Sequence, residues 1–187
     1  MLRFAILGFL ALLATACASM PPGITVPGAG RHPLLPSAVF PRDISVTQSV
    51  AISGRYNERF LLQTEVSPAG LSMVGLTGFG QKLFELEYQG DVLTVHPTPF
   101  LPGSLVPEKL LADFQLIYWP GVQLHELLMG TGVEMLETAS QRRLRRGDST
   151  IIDIAYSPAR AIENSLVYRN LEEGYDMRIE VLSASAQ

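Results

Sequence analysis

The sequence predicts an α+β fold: a curled antiparallel sheet with a pair of short apolar helices set into its middle. Three observations carry this. From residue 43 onward, short strand-like runs alternate with tight-turn residues. Within a run, apolar and polar residues alternate. In KLFELEY, Leu83, Glu85 and Glu87 share one side and Phe84, Leu86 and Tyr88 the other, so one face is apolar and the other largely wet. Between two blocks of such runs, PEKLLADFQLIYWPGVQLHELLMG places its apolar residues at helical spacing.

The chain opens MLRFAILGFLALLATACASM, which has the three parts of a secretory signal over residues 1–16. Arg3 supplies the charge, Phe4 to Leu13 the apolar stretch and Ala14-Thr15-Ala16 the small residues for cleavage. The apolar run is too short to span a bilayer comfortably. An ordinary signal peptidase would leave Cys17 as a bare N-terminal thiol. A lipoprotein peptidase would first need diacylglycerol on Cys17. Ala14 stands where a lipoprotein signal usually has Leu. A lone cysteine directly after small residues and before a proline-rich stretch still favours lipidation. The sorting rule for bacterial lipoproteins holds back those with Asp after the cysteine, so Ala18 fits onward travel to the outer membrane. Residues 17–42 then form the lipidated Cys17 and a tether. Six prolines and three glycines between residues 18 and 41 leave no periodic apolar face, and in extended form the segment reaches at most ~70 Å.

Residues 43–187 read as one domain with a real core. ISVTQSVAISG leads to the turn Arg55-Tyr56-Asn57-Glu58, and RFLLQTEV to Ser67-Pro68-Ala69-Gly70. LSMVGLTGFG, KLFELEY and VLTVH complete a meander. Pro97, Pro99, Pro102 and Gly103 make a stiff loop. Pro107 suits the first position of a helix and Glu108 its positive end. Pro120-Gly121 breaks that helix, and a second short one ends at Gly130. Gln141 to Arg146 and Ser149 to Tyr156 flank Gly147-Asp148 as a hairpin; Leu166 to Asn170 and Tyr175 to Leu182 flank Glu172-Glu173-Gly174 as another.

With a formal charge of −4 and a single cysteine, the chain is a poor nucleic-acid binder and has no internal disulfide. His125-Glu126-Leu127-Leu128-Met129 has Met where a zinc helix needs its second His, so no metal is expected. Gly78-Phe79-Gly80 lacks the rest of a phosphate loop. The acidic residues form no focused pair, and no catalytic set or cofactor motif emerges, so an enzyme is not expected. Arg142-Arg143-Leu144-Arg145-Arg146 reads either as a hairpin tip for an anionic partner or, preferably, as a solvated strand end whose charges protect a sheet edge. Phe79, between two glycines at a turn, either projects outward or folds back onto the core. The apolar residues of 110–129 exceed what two short helices bury on each other. Over a curved sheet they line either a greasy cavity or a filled core.

The order of features, with LLADFQLIYWPGVQLHELLMG between strands and YDMRIEVL at the end, resembles LolB, the outer-membrane lipoprotein receptor, and its periplasmic relative LolA. It is more similar still to an uncharacterised family of small bacterial lipoproteins associated with aryl polyene gene clusters. The resemblance spans about residues 43 to 183. It implies an incomplete antiparallel β-barrel with the helix pair as lid over a cavity for acyl chains. The lid and cargo-binding residues would be Leu110, Leu111, Phe114, Ile117, Trp119, Leu124, Leu127 and Leu128, with Pro120 and Gly121 as hinge. Phe79 falls where LolB carries an apolar residue on a protruding loop that helps deliver lipoproteins into the membrane. The proline-rich loop and the Tyr118-Trp119-Pro120 segment depart from LolB and leave room for a polyene-bearing lipid.

The expected function is therefore that of a lipid-anchored protein on the periplasmic face of the outer membrane. It would be a monomer that takes a lipid or lipidated cargo, with a periplasmic carrier protein as a possible partner. The rivals are a scaffold lipoprotein of a cell-envelope biosynthetic complex, working through its sheet edge or arginine hairpin, and an envelope enzyme whose site the sequence does not connect.

Overall fold

A computed structural model describes residues 23–26, 30–39, 43–90 and 92–186. The signal segment and Cys17 lie outside the described residues.

Before the helices run β3 (Ile44–Gly54), β4 (Glu58–Ser67), β5 (Gly70–Leu76), β6 (Lys82–Gln89) and β7 (Val92–Pro97). They are preceded by a two-stranded ribbon of β1 (Gly23–Val26) and β2 (Gly30–Pro33) and a 3-10 turn at Ser37–Val39. The helices are α1 (Pro107–Tyr118) and α2 (Gly121–Leu128). After them come β8 (Val133–Glu137), β9 (Gln141–Arg146), β10 (Ser149–Ser157), β11 (Ser165–Asn170) and β12 (Tyr175–Ala186). Strands β3 to β12 form one antiparallel sheet in the order β7-β6-β5-β4-β3-β12-β11-β10-β9-β8. The sheet is curled and open, which fits an incomplete barrel.

Its centre is made by the first and last long strands. β3 pairs β12 from Ile44↔Ala186 to Gly54↔Tyr175, a contact across most of the domain's sequence. The meanders spread outward from that seam on both sides. Alternation sets the inner face as expected: Val46, Gln48, Val50 and Ile52 of β3 are buried and the residues between them are not. Gly75 on β5 has a specific reason to be glycine. A Cβ there would overlap the ring of Phe84 on the paired strand. Gly147 and Gly174 turn the two C-terminal hairpins with φ of 56° and 75°, which glycine adopts without steric penalty.

Two features differ from expectation. The sequence reading passes from Gly130 to Gln141 without a strand, yet VEMLE forms β8 on the sheet edge. Five residues with broken alternation give little local signal, and the strand exists through its pairing with β9. The proline-rich segment is also not all tether. Leu34 is buried, and Leu35 and Pro36 bond to α1.

Candidate functional site

The site is the concave face and the helix that covers it. Pro107 takes the first turn of α1, Glu108 lies near its positive end, and every residue from Leu110 to Tyr118 is buried. Such a helix is enclosed all round, by the sheet on one side and by other segments elsewhere. Leu110, Leu111, Phe114, Ile117 and Trp119 are all buried, as are Leu124 and Leu128 on α2; Leu127 is half-buried. Phe114 packs against Tyr118 and edge-on to Trp119, with ring centroids 4.7 and 6.0 Å apart. Of the two readings of residues 110–129, the filled core is the one seen. Between Gln48, Val50 and Leu62 of the sheet and Leu110, Asp113 and Phe114 of α1 lies a space of about 20 Å³, enough for roughly one water.

Polar groups fasten α1 to the sheet. Tyr168 and Tyr175, on β11 and β12, donate hydrogen bonds to the two carboxylate oxygens of Asp113, at 2.7 and 2.6 Å. Asn170 donates to the Tyr175 hydroxyl at 3.3 Å. Lys109 stands 5.0 Å over the Tyr175 ring and bonds Glu173 at 2.7 Å, while Tyr56 stacks on Tyr175. Burial pushes the Asp113 carboxyl up from its usual range, against the pull of Lys109 and the two hydroxyls. Burial likewise raises Tyr168 and Tyr175, and the Asp113 charge beside them adds to it. Further along the helix Gln48 donates to the Tyr118 hydroxyl at 2.9 Å. Gln48 Oε1 and Thr64 Oγ1, both fully buried, have no hydrogen-bond partner among the described residues. Each such atom costs about 1–3 kcal/mol.

At the C-terminal end of α1 the arginine cluster divides, which corrects the expectation of a solvated or anion-facing hairpin. Arg142 is wholly buried. Its guanidinium donates to the carbonyls of Leu116, Ile117 and Trp119 and pairs with Glu137 at 2.6 Å. These are carbonyls that the helix end leaves without intrahelical partners, and a cation suits that end. Arg160 also reaches the Trp119 carbonyl, at 3.1 Å, and Glu137. The Tyr156 hydroxyl donates to Ile117 O at 2.7 Å, and burial pushes its pKa up to about 12. Arg143, Arg145 and Arg146 remain partly exposed in ordinary ion pairs. The reason is the strand's period of two: Arg142 shares its inward face with Leu144.

The segment before β3 straps the other side of the helix. Leu35 N–H donates to Gln115 Oε1, and Gln115 Nε2 donates back to Leu35 O. Trp119 Nε1 donates to Pro36 O, and Tyr88 to Leu34 O. Pro120 and Gly121 do separate the two helices, with Trp119 extended at φ −62° and ψ 145°. That junction is held by Arg142 and Arg160 through the Trp119 carbonyl.

Phe79 projects outward, fully exposed at 102 %. The Thr77 hydroxyl accepts from the N–H groups of Phe79 and Gln81, which shapes the turn. Phe100, at 58 % exposure, sits on the neighbouring loop. There Thr98 donates to Lys82 O and Leu83 O at the start of β6 and accepts from Phe100 N–H. Two Thr-x-Phe turns thus present aromatic rings at one end of the sheet. His125 is exposed on α2 and bonds Gly121 O. The sequence reading missed Asp113, its tyrosines, Gln48 and Arg142. The available signal was a polar residue within an apolar pattern: Asp113 in LLADFQLIY, Gln48 in ISVTQSVAI and Arg142 in register with Leu144.

No curated protein matches the sequence. Residues 45–183, nearly the whole sheet together with both helices, match the family described as "Protein of unknown function (DUF3261)", and the chain belongs to that family.

Proposed function

We propose that the protein is an envelope lipoprotein that binds or transfers a hydrophobic, lipid-like cargo, either lipoprotein acyl chains or a polyene lipid. Cys17 would hold it at the periplasmic face of the outer membrane, and the fold would be LolA/LolB-like. The observation that carries this reading is an open, curled sheet whose apolar inner face is covered by one helix between proline-containing breaks. α1 makes no backbone ladder with the sheet; side chains of Asp113, Gln48 and Arg142 fasten it. With about 20 Å³ free beneath it, α1 and a cargo compete for the same face. Each CH₂ of cargo taken from water contributes about 0.8 kcal/mol. Exchange of one apolar face for another leaves a small net difference, as a reversible carrier needs. Leu110, Leu111, Phe114, Ile117, Trp119, Leu124, Leu127 and Leu128 would move as the lid, with Pro120-Gly121 as hinge, and Phe79 would enter the membrane at delivery. The test loosens the lid. Tyr168→Phe with Tyr175→Phe removes both bonds to Asp113 and is expected to increase uptake of the fluorescent probe N-phenylnaphthylamine. No uptake by either protein would overturn the carrier reading.

A second reading is favoured by one observation. Beside β8, an edge strand, lies an open groove of about 460 Å³ lined by Leu128, Met129, Val133, Met135 and Leu136. Met129 and Leu136 are exposed. A scaffold lipoprotein would add a partner's strand there, and Leu136→Lys would abolish the complex while leaving probe uptake intact.

A further inference from the structure

Of the buried polar side chains on the concave face, Arg142 and Asn170 are hydrogen-bonded to neighbouring groups, and two others lie near its middle. Gln48 on β3 and Thr64 on β4 point into it, and neither is exposed to solvent. Gln48 lies opposite Leu62, and Thr64 opposite Val46, so the two are diagonal neighbours on one face, about 7–8 Å apart with their Cβ atoms somewhat closer. Thr64 sits in unbroken ladders with β3 and β5, and Gln48 in an unbroken ladder with β4, while β12 bulges beside Gln48 between Val181 and Ser183. Neither side chain bonds a main-chain group among the described residues. Gln48 Nε2 bonds the Tyr118 hydroxyl of α1, whereas Gln48 Oε1 and Thr64 Oγ1 have no partner among the described residues. The small space under α1 is lined by Gln48 but not by Thr64, so a water there leaves Thr64 alone. Native interiors keep few such atoms, and valine in place of Thr64 would fill the same volume.

We infer that Gln48 and Thr64 form a hydrogen-bonding subsite for a polar group on the cargo. The cargo class is then a neutral amphiphile, an apolar chain bearing a hydroxyl or amide, rather than a plain hydrocarbon. This assignment rests on the carrier reading. When α1 lifts, Tyr118 leaves and frees Gln48 Nε2, so the amide offers one donor side and one acceptor side, with the Thr64 hydroxyl beside it. A cargo hydroxyl donates to Gln48 Oε1 and accepts from Gln48 Nε2 or Thr64. A carboxylate only accepts and leaves Gln48 Oε1 unpaired.

The experiment displaces bound N-phenylnaphthylamine from the purified chain with decanol and with decane, in the wild type, Thr64→Val and Gln48→Met. Wild type is expected to prefer decanol by about tenfold, the scale of one or two net hydrogen bonds. Each variant should lose most of that preference while keeping its decane affinity. Thr64→Val should also unfold at an equal or higher urea concentration than wild type, because it removes an unpartnered buried hydroxyl. Variants that keep the decanol preference would overturn the subsite, as would equal binding of both compounds by wild type. A Thr64→Val protein that unfolds earlier would assign Thr64 a structural role and overturn it too. If wild type takes up no probe at all, the carrier reading fails and the subsite falls with it.

Discussion

Arg142 offers the sharpest test of how the helix is held. Arg142→Met keeps the length of the side chain and removes the guanidinium. Three carbonyls and Glu137 lose that donor, but not equally. Trp119 O and Glu137 keep Arg160, and Ile117 O keeps the Tyr156 hydroxyl. Leu116 O, an end carbonyl of α1 buried with the helix, loses Arg142. One orphaned carbonyl costs about 1–3 kcal/mol, and the lost charge-assisted bonds about 1.5–3 kcal/mol more. Apolar packing by Met, and relief from keeping a guanidinium out of water, return part of this. The net destabilisation is expected at about 2–4 kcal/mol. Arg142→Lys should recover only part, since an ammonium lacks the planar fork that serves several acceptors. Alanine at Arg143, Arg145 or Arg146, whose ion pairs are solvent-facing, should each cost less than about 1 kcal/mol. The assay is equilibrium unfolding in urea followed by fluorescence of Trp119, the chain's sole tryptophan, buried beside Arg142's acceptors. If Arg142→Met lies within about 0.5 kcal/mol of wild type, or no lower than Arg146→Ala, the helix-end role is refuted.

The raised Asp113 carboxyl gives a pH dependence of defined sign. Between its ordinary value of 3.8 and its higher folded value, the folded chain binds more proton than the unfolded, so this group's contribution to stability falls as pH rises. Asp113→Asn removes that dependence, and its stability relative to wild type should improve with pH across the window by up to about 1.4 kcal/mol per unit; an unchanged difference in urea titrations at several pH values would refute it. Phe79→Glu, alone or with Phe100→Glu, should leave urea unfolding unchanged, since both rings are exposed, yet lower binding to phospholipid vesicles by at least about tenfold in flotation; unchanged flotation would refute a membrane-facing tip. Gly75→Ala should destabilise by about 1–3 kcal/mol through overlap with Phe84, and a neutral result in thermal unfolding would contradict the packing of β5 on β6.

Much of the sheet was legible because its signals are local. Gly147-Asp148 and Gly174 mark hairpin turns, and alternation in KLFELEY assigns Phe84, Leu86 and Tyr88 to the buried face within seven residues, although Leu83, expected on the wet face, is buried as well. Pro107 and Pro120 bracket α1 for reasons that act within one turn. What the reading missed is set by distant partners. Leu35 meets Gln115 eighty positions along the chain, and nothing near Leu35 announces it. Asp113 reads as a polar blemish in an apolar helix until Tyr168 and Tyr175 arrive from the last hairpin. The arginine run was readable in part: period two places Arg142 with Leu144, but that it meets the end of α1 depends on where the helix lies. Composition gives the apolar residues of α1 and α2 but not the space between them and the sheet, which side-chain fit alone decides.

The central claim, a carrier for a hydrophobic cargo, is tested most directly by native mass spectrometry of the chain extracted gently from its own membranes. The account predicts a bound amphiphile of discrete mass, released on unfolding, and readier uptake of hydrophobic probe when the Tyr168 and Tyr175 bonds to Asp113 are removed. Protein at its bare mass that takes up no hydrophobic probe, even with the Tyr168 and Tyr175 bonds removed, would contradict it.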